Sequence, residues 1–356
     1  MTERALASIQ VIESITPIPE ADAIETARVL GWDVVVRKDL GYKPGDVVVF
    51  YEIDSVLPDN PVYEEMLRGK PWSPRAARLK TVRFRGQLSQ GYLRHAADVL
   101  DTNHLGATSI GTDVTELLGV TKYEPPLPTD AAAIAGHWLV GVPKTDEQRC
   151  QSNPGLVQAL QGAPYVITVK LDGMSGTFGY DDEGQFWACS RNFRLRPGNN
   201  PHTKVAERFQ LSRILQRWTD GEFDPRYVIQ GEVCGPGIQG NRLKLDEPSL
   251  FVFDIFDKET NEYLPWLKVR DFCVANLIPM VPVLEVGSHF HYTIADLLAL
   301  ADGHYPSGER REGIVIRGSA DTSLQRRSFK CISNKFLLQE GVAAVAFVGV
   351  PTVGGD

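Results

Sequence analysis

Apolar positions in the first hundred residues come in short runs bounded by turn signals, with little helical spacing. Ala5 to Ile15 and Ala27 to Arg37 alternate or run apolar with β-branched residues, which predicts strands. Gly41-Tyr42-Lys43-Pro44-Gly45-Asp46 marks a turn before the run Val47 to Ile53. Lys80 to Phe84 predicts another short strand, with Thr81, Arg83 and Arg85 on one face and Val82 and Phe84 on the other. Several short strands at this spacing predict a small β-barrel. From Asp101 to Thr145 the pattern weakens, and Pro125-Pro126-Leu127-Pro128 cannot continue a helix and reads as a linker. The expected division is therefore 1–125 and 126–356.

The second part mixes both periods. Val166 to Lys170, Thr177 to Tyr180, Phe186 to Ser190, Tyr227 to Val233, Leu250 to Phe256 and Gly313 to Arg317 read as strands, with a hairpin turn at Asp181-Asp182-Glu183-Gly184. Lys204 to Trp218, Val269 to Leu277 and Thr293 to Leu300 have helical spacing, the last opening on a Thr N-cap. The expected class is α+β with antiparallel sheets.

Composition narrows the setting. With 43% hydrophobic and 23% charged residues the chain is an ordinary globular protein, and no run approaches a membrane span. Five widely spaced cysteines, Cys150, Cys189, Cys234, Cys273 and Cys331, argue against a disulfide framework and a structural zinc site. They fit structural thiols in a reducing cytoplasm, and Met1 to Ala5 shows no signal-peptide pattern. The net charge of −8 does not exclude a polyanionic partner, because binding depends on local patches. Two basic clusters qualify: Arg75, Arg78, Lys80, Arg83 and Arg85, and Arg310, Arg311, Arg317, Arg326, Arg327 and Lys330.

Candidate chemistry centres on Lys170, which closes the apolar run Tyr165 to Val169 and opens Lys170-Leu171-Asp172-Gly173. Alone this motif is weak. It is followed in order by Ser190-Arg191-Asn192, Gly231-Glu232-Val233-Cys234-Gly235, Phe251-Val252-Phe253-Asp254, Glu312-Gly313-Ile314-Val315-Ile316 and Ser328-Phe329-Lys330. The ordered set resembles the motif series of the covalent nucleotidyltransferases. DNA ligases and capping enzymes place an OB-fold after the last motif. Here 26 residues follow Lys330, and the barrel-like segment, with Lys43-Pro44-Gly45-Asp46-Val47, precedes Lys170. The chain thus resembles ATP-dependent RNA ligases of the branch with an N-terminal OB-fold domain (RNA ligase 5 type). The implied fold is an OB-fold β-barrel followed by an antiparallel-sheet adenylation domain, ATP-grasp-like as in DNA and RNA ligases.

That resemblance assigns roles. Lys170 is the nucleophile that carries AMP, and it must be neutral to attack; an apolar strand and a nearby cation would each depress its pKa. Glu312 would hold Mg²⁺ or Mn²⁺, directly or through water, while Asp172 and Glu232 would contact metal waters or ribose hydroxyls. Arg191, assisted by Asn192, falls where phosphate is contacted, and Phe253 where adenine stacks, with Phe251 able to exchange roles. Thr168 and Val169 would also contact the bound nucleotide. Lys330 would contact the α-phosphate. Many relatives carry Lys-x-Lys there; this chain has Lys330-Cys331-Ile332, with Lys335 too distant, so Arg327 is the candidate substitute. Arg83, Arg85 and Arg327 are the expected nucleic-acid contacts. The implied activity is ATP-dependent joining of 3′-OH and 5′-phosphate RNA ends at duplex nicks by a monomer, through lysyl-AMP and adenylated RNA. The rivals are a DNA or mixed-polymer ligase and a non-catalytic RNA-binding protein.

Overall fold

The computed structural model describes residues 4–67, 69–101, 109–124, 133–138, 141–181, 183–217, 226–319 and 326–339. The Pro125–Pro128 segment lies outside them. Two compact units emerge: 1–126 with 151–154 and 337–356, and 127–150 with 155–336.

The first unit is built from antiparallel strands. Val47–Tyr51 lies between Ala7–Val11 and Tyr92–His95, while Ile24–Val29 lies between Ser14–Pro17 and Trp32–Arg37. The two long apolar stretches each break where the chain turns. Ala27 to Arg37 contains a hairpin bend at Leu30 (φ 51°) and Gly31 rather than one continuous strand. Trp32, Val34, Phe50 and Ile53 fill one core; Ile9, Val49, Tyr51 and Leu57 fill a second. A separate hairpin pairs Val82–Phe84 with Gln87–Ser89.

The second unit carries two sheets. Seven strands run in the order Ile134–His137, Phe193–Leu195, Phe186–Cys189, Met174–Tyr180, Tyr227–Cys234, Ser249–Asp257, Glu262–Tyr263. Five run Gln148–Arg149, Ser328–Ile332, Gly313–Gly318, Tyr165–Lys170, Val283–Gly287. All pairings are antiparallel except Gln148–Arg149 with Phe329–Lys330. In the five-stranded sheet Ile167, Ile314, Ile316 and Phe329 pack with Leu160 and Leu297. Burying each such side chain is worth roughly 1.5–3 kcal/mol, which anchors the strands whose ends form the site. The capping box of Thr293 and Asp296 opens helix Ile294–Ala301. The single helix expected over Lys204 to Trp218 is two, Pro201–Arg208 and Leu211–Arg217, because Gln210 turns left-handed (φ 50°). Among the described residues no helix is long and apolar enough to cross a membrane.

Candidate active site

Lys170 and Gly313 form the last register pair between two central strands of the five-stranded sheet. Beyond that pair the ladder stops, and Asp172 and Glu312 follow on the two chains. Both motif glycines are required by close approach. A Cβ on Gly313 would lie 2.1 Å from the Cys331 carbonyl oxygen, and one on Gly173 would lie 2.6 Å from that of Val233.

Three carboxylates gather around the lysine. Lys170 Nζ donates to Glu312 Oε2 at 2.8 Å, Glu232 Oε1 accepts from the Gly173 N–H at 3.1 Å, and Arg242 Nε donates to Asp172 Oδ2 at 2.6 Å. Burial, with Glu312, Asp172 and against the pull of Lys170, pushes Glu232 up to about 7. Burial, with Glu312 and against Arg242, pushes Asp172 up to about 6. The expectation of a depressed lysine is corrected here. Burial does disfavour the Lys170 charge, but Glu312 and Glu232, with Asp172, outweigh it and raise the pKa above the ordinary value. The ligand-free lysine is an ammonium. Among the described residues no three His, Cys, Asp or Glu side chains are close enough to chelate an ion directly. Asp172, Glu232 and Glu312 offer carboxylate oxygens of the kind taken by a hard cation that keeps several waters, as Mg²⁺ does.

A second charged group forms around Asp146. Its carboxylate accepts from Lys330 Nζ at 2.8 Å and from Arg191 at 2.7 Å. Burial lowers Lys330 to about 8, against the pull of Asp146. Arg149, on the parallel neighbouring strand, is the register partner of Lys330 and adds a further cation. Asn192 accepts from Lys144 Nζ at 3.3 Å. The segment Lys144 to Arg149 thus supplies an anion and two cations that sequence reasoning missed. Its signal was the charged string Lys144-Thr145-Asp146-Glu147-Gln148-Arg149 just ahead of the first apolar strand.

The second basic cluster is not an open patch. Arg326 and Arg317 meet Asp254 (2.6 and 3.5 Å) and Glu147 (3.5 Å each) in a buried network, Arg310 pairs with Asp302, and Arg311 donates to the carbonyls of Leu300 and Ala301. Arg327 donates to the Ala159 carbonyl at 2.9 Å. Arg327 lies just ahead of the strand Ser328–Ile332 that carries Lys330. Lys335 pairs with Asp302.

An apolar wall adjoins Lys170. Val169, Leu171, Cys234, Val281 and Tyr305 pack with half-buried Phe251 and Phe253. Phe253 lies at the strand bulge opposite Gln230 and Gly231, with the Arg317 guanidinium 5.8 Å from its ring centre. Thr168 is 1% exposed; its hydroxyl donates to the Val315 carbonyl at 3.4 Å and accepts from Arg317 at 3.4 Å, the arginine beside Phe253. All five cysteines are buried and none is in a disulfide.

In the first unit, Arg83 is exposed on its hairpin and Arg85 occupies the two-residue turn with Gly86, at φ 49° and 81°. Thr81 is buried and bonded to Gln90, so Thr81, Arg83 and Arg85 do not share one strand face.

A lysine closing a buried strand thus lies among carboxylates, with a cationic group and an apolar wall beside it. Residues 163–332 match the RNA ligase family and residues 6–95 match an OB-fold domain family. The chain is similar to Naegleria gruberi RNA ligase with pyrophosphate: TM-score 0.84, 33% identity, covering 95% of this chain and 99% of that one. Variants of that enzyme, one apo and one with ATP and Mn, align with TM-scores of 0.85 and 0.83 at 32% and 33% identity. They cover 96% and 95% of this chain and 100% and 98% of theirs. No curated protein matches the chain. The chain belongs to the RNA ligase family.

Proposed function

We propose that this ligase uses ATP and a divalent cation, Mg²⁺ or Mn²⁺, to join 3′-OH and 5′-phosphate RNA ends at duplex nicks, acting as a monomer with Lys170 as nucleophile. The observation that carries it is the Lys170–Glu312 pair at the strand ends, with Asp172 and Glu232 beside it and Lys330 and Arg191 converging on one anion. The crystallised relative with ATP and Mn supports the choice of nucleotide and cation.

Lys170 must first lose a proton. Its neutral amine then attacks the α-phosphorus, forming an N–P bond while the bond to pyrophosphate breaks. Lys330 and Arg191 exchange Asp146 for phosphate oxygens and neutralise the charge that develops. AMP next passes to the RNA 5′-phosphate, releasing Lys170, and the 3′-hydroxyl displaces AMP to close the phosphodiester. A hydrated divalent cation at Asp172, Glu232 and Glu312 would supply positive charge that offsets these carboxylates and favours the neutral amine. Phe253 or Phe251 stacks the adenine. The OB-fold domain, through Arg83 and Arg85, guides RNA.

Incubation with α-labelled ATP and Mg²⁺ or Mn²⁺ tests the proposal. Wild-type protein should retain label through denaturation, and Lys170→Ala should not, while still sealing pre-adenylated nicks. Undiminished labelling of Lys170→Ala would sink the assignment.

A further inference from the structure

The ladder between the two central strands ends at the Lys170–Gly313 pair, with Asp172 and Glu312 just beyond it. At this end lie the Lys170 carbonyl and the amides of Asp172 and Glu312, on the residues that carry the proposed chemistry. Backbone groups in such a place need partners. One side chain provides all three. The Tyr305 hydroxyl accepts from the Asp172 N–H and from the Glu312 N–H, each at 3.1 Å, and donates to the Lys170 carbonyl at 3.0 Å. A phenol has one donor and two acceptor sites, and all three are used.

Tyr305 is itself fixed. It is 4% exposed, and its turn is closed by Tyr305 N to the Glu309 carbonyl at 2.8 Å and Gly308 N to the Tyr305 carbonyl at 2.9 Å. The same turn holds Arg242: Ser307 Oγ donates to the Arg242 carbonyl at 2.5 Å, and Lys244 Nζ donates to the Ser307 carbonyl at 3.0 Å. Arg242 in turn donates to the Asp172 carboxylate. One turn therefore fixes Asp172 twice, at its amide through Tyr305 and at its carboxylate through Arg242.

We infer that Tyr305 is a positioning residue for lysine adenylylation: its hydroxyl ties the main chain of Lys170, Asp172 and Glu312 together where the ladder ends. This rests on the reading of Lys170 as nucleophile. Tyr305 touches no reacting atom; it acts through the main chain of residues that do. Misplacement of a catalytic group by about 1 Å costs on the order of 100-fold in rate. Tyr305→Phe keeps the ring that packs in the apolar wall and removes only the hydroxyl.

The test is single-turnover formation of lysyl-AMP by Tyr305→Phe against ATP concentration, at a temperature well below unfolding of both proteins. The expected result is a maximal rate down by about 30- to 100-fold with the half-saturating ATP concentration within about twofold of wild type. A purely structural role would lower the melting temperature and leave the maximal rate of the folded protein intact. A rate within about threefold of wild type, or a loss confined to ATP half-saturation, overturns the inference. Should Tyr305→Phe not fold, a fluorinated tyrosine incorporated at 305 weakens the oxygen as an acceptor while keeping its size. Slower adenylylation supports the inference and an unchanged rate overturns it. Absence of lysyl-AMP in the wild-type protein would instead reject the nucleophile reading itself.

Discussion

Glu232→Gln should stabilise the ligand-free protein while destroying its chemistry. Glu232 is pushed up to about 7 chiefly by burial, although Lys170 pulls the other way. Its folded pKa lies above the unfolded value of about 4.5, so the stability it contributes is present below that value and lost as pH rises through 7. At pH 8 the ionised side chain costs the fold about 3 kcal/mol, at 1.36 kcal/mol per pH unit. Glutamine keeps the carbonyl that accepts from the Gly173 N–H and cannot ionise. That cost is already net of the attraction to Lys170, so a rise of roughly 6–12 °C in the transition of the catalytic unit at pH 8 is expected. At pH 5, where wild-type Glu232 is protonated, the two proteins should coincide. Thermal unfolding across pH 5 to 8, without and with Mn²⁺, checks this, and Mn²⁺ should stabilise wild type more than the variant at pH 8. A variant no more stable than wild type at pH 8, with an unchanged pH slope, would refute the electrostatic argument.

Three further outcomes are expected. Glu312→Ala should slow lysyl-AMP formation by at least about 100-fold, since the charge facing Lys170 and its proposed cation is removed; single-turnover labelling measures this. Phe253→Ala should raise the half-saturating ATP concentration by the roughly 1–3 kcal/mol of a base–aromatic stack; if Phe251→Ala does so instead, the other ring stacks. Replacing Arg83 and Arg85 by Ala should weaken nick binding and flatten the log–log salt dependence by about 1 to 2, and an unchanged slope would remove them from the interface.

Local signals were legible in the sequence wherever one strand or one turn carried them. The run ending at Lys170, the Thr293 cap and the motif glycines are of this kind, because apolar spacing and close backbone approach leave marks on adjacent residues. Contacts spanning more than a hundred positions leave none. Tyr305 meets Lys170 across 135 residues, and Asp146 meets Lys330 across 184. Nothing near Asp146 in the chain announces a partner at Lys330. The arginines misled for the same reason. Arg317 and Arg326 read as an exposed patch because Glu147 and Asp254, which neutralise them, lie far away in sequence. The pKa of Lys170 is raised in the ligand-free protein because the pull of the three motif carboxylates exceeds the effect of burial, a balance of opposing magnitudes that spacing along the chain does not give.

The resting centre neutralises itself. Lys170 is held by Glu312, Asp172 by Arg242, and Lys330 and Arg191 by Asp146. Each pair joins a group proposed to act on substrate with one that substitutes for it. A lone charge in so buried a place would cost several kcal/mol, so these partners let a strongly charged site fold without ligand. They also bear on the proposed reaction: phosphate would compete with Asp146 for Lys330 and Arg191, and a divalent cation would compete with Lys170 for Glu312, so each ligand would open the pair on its own side.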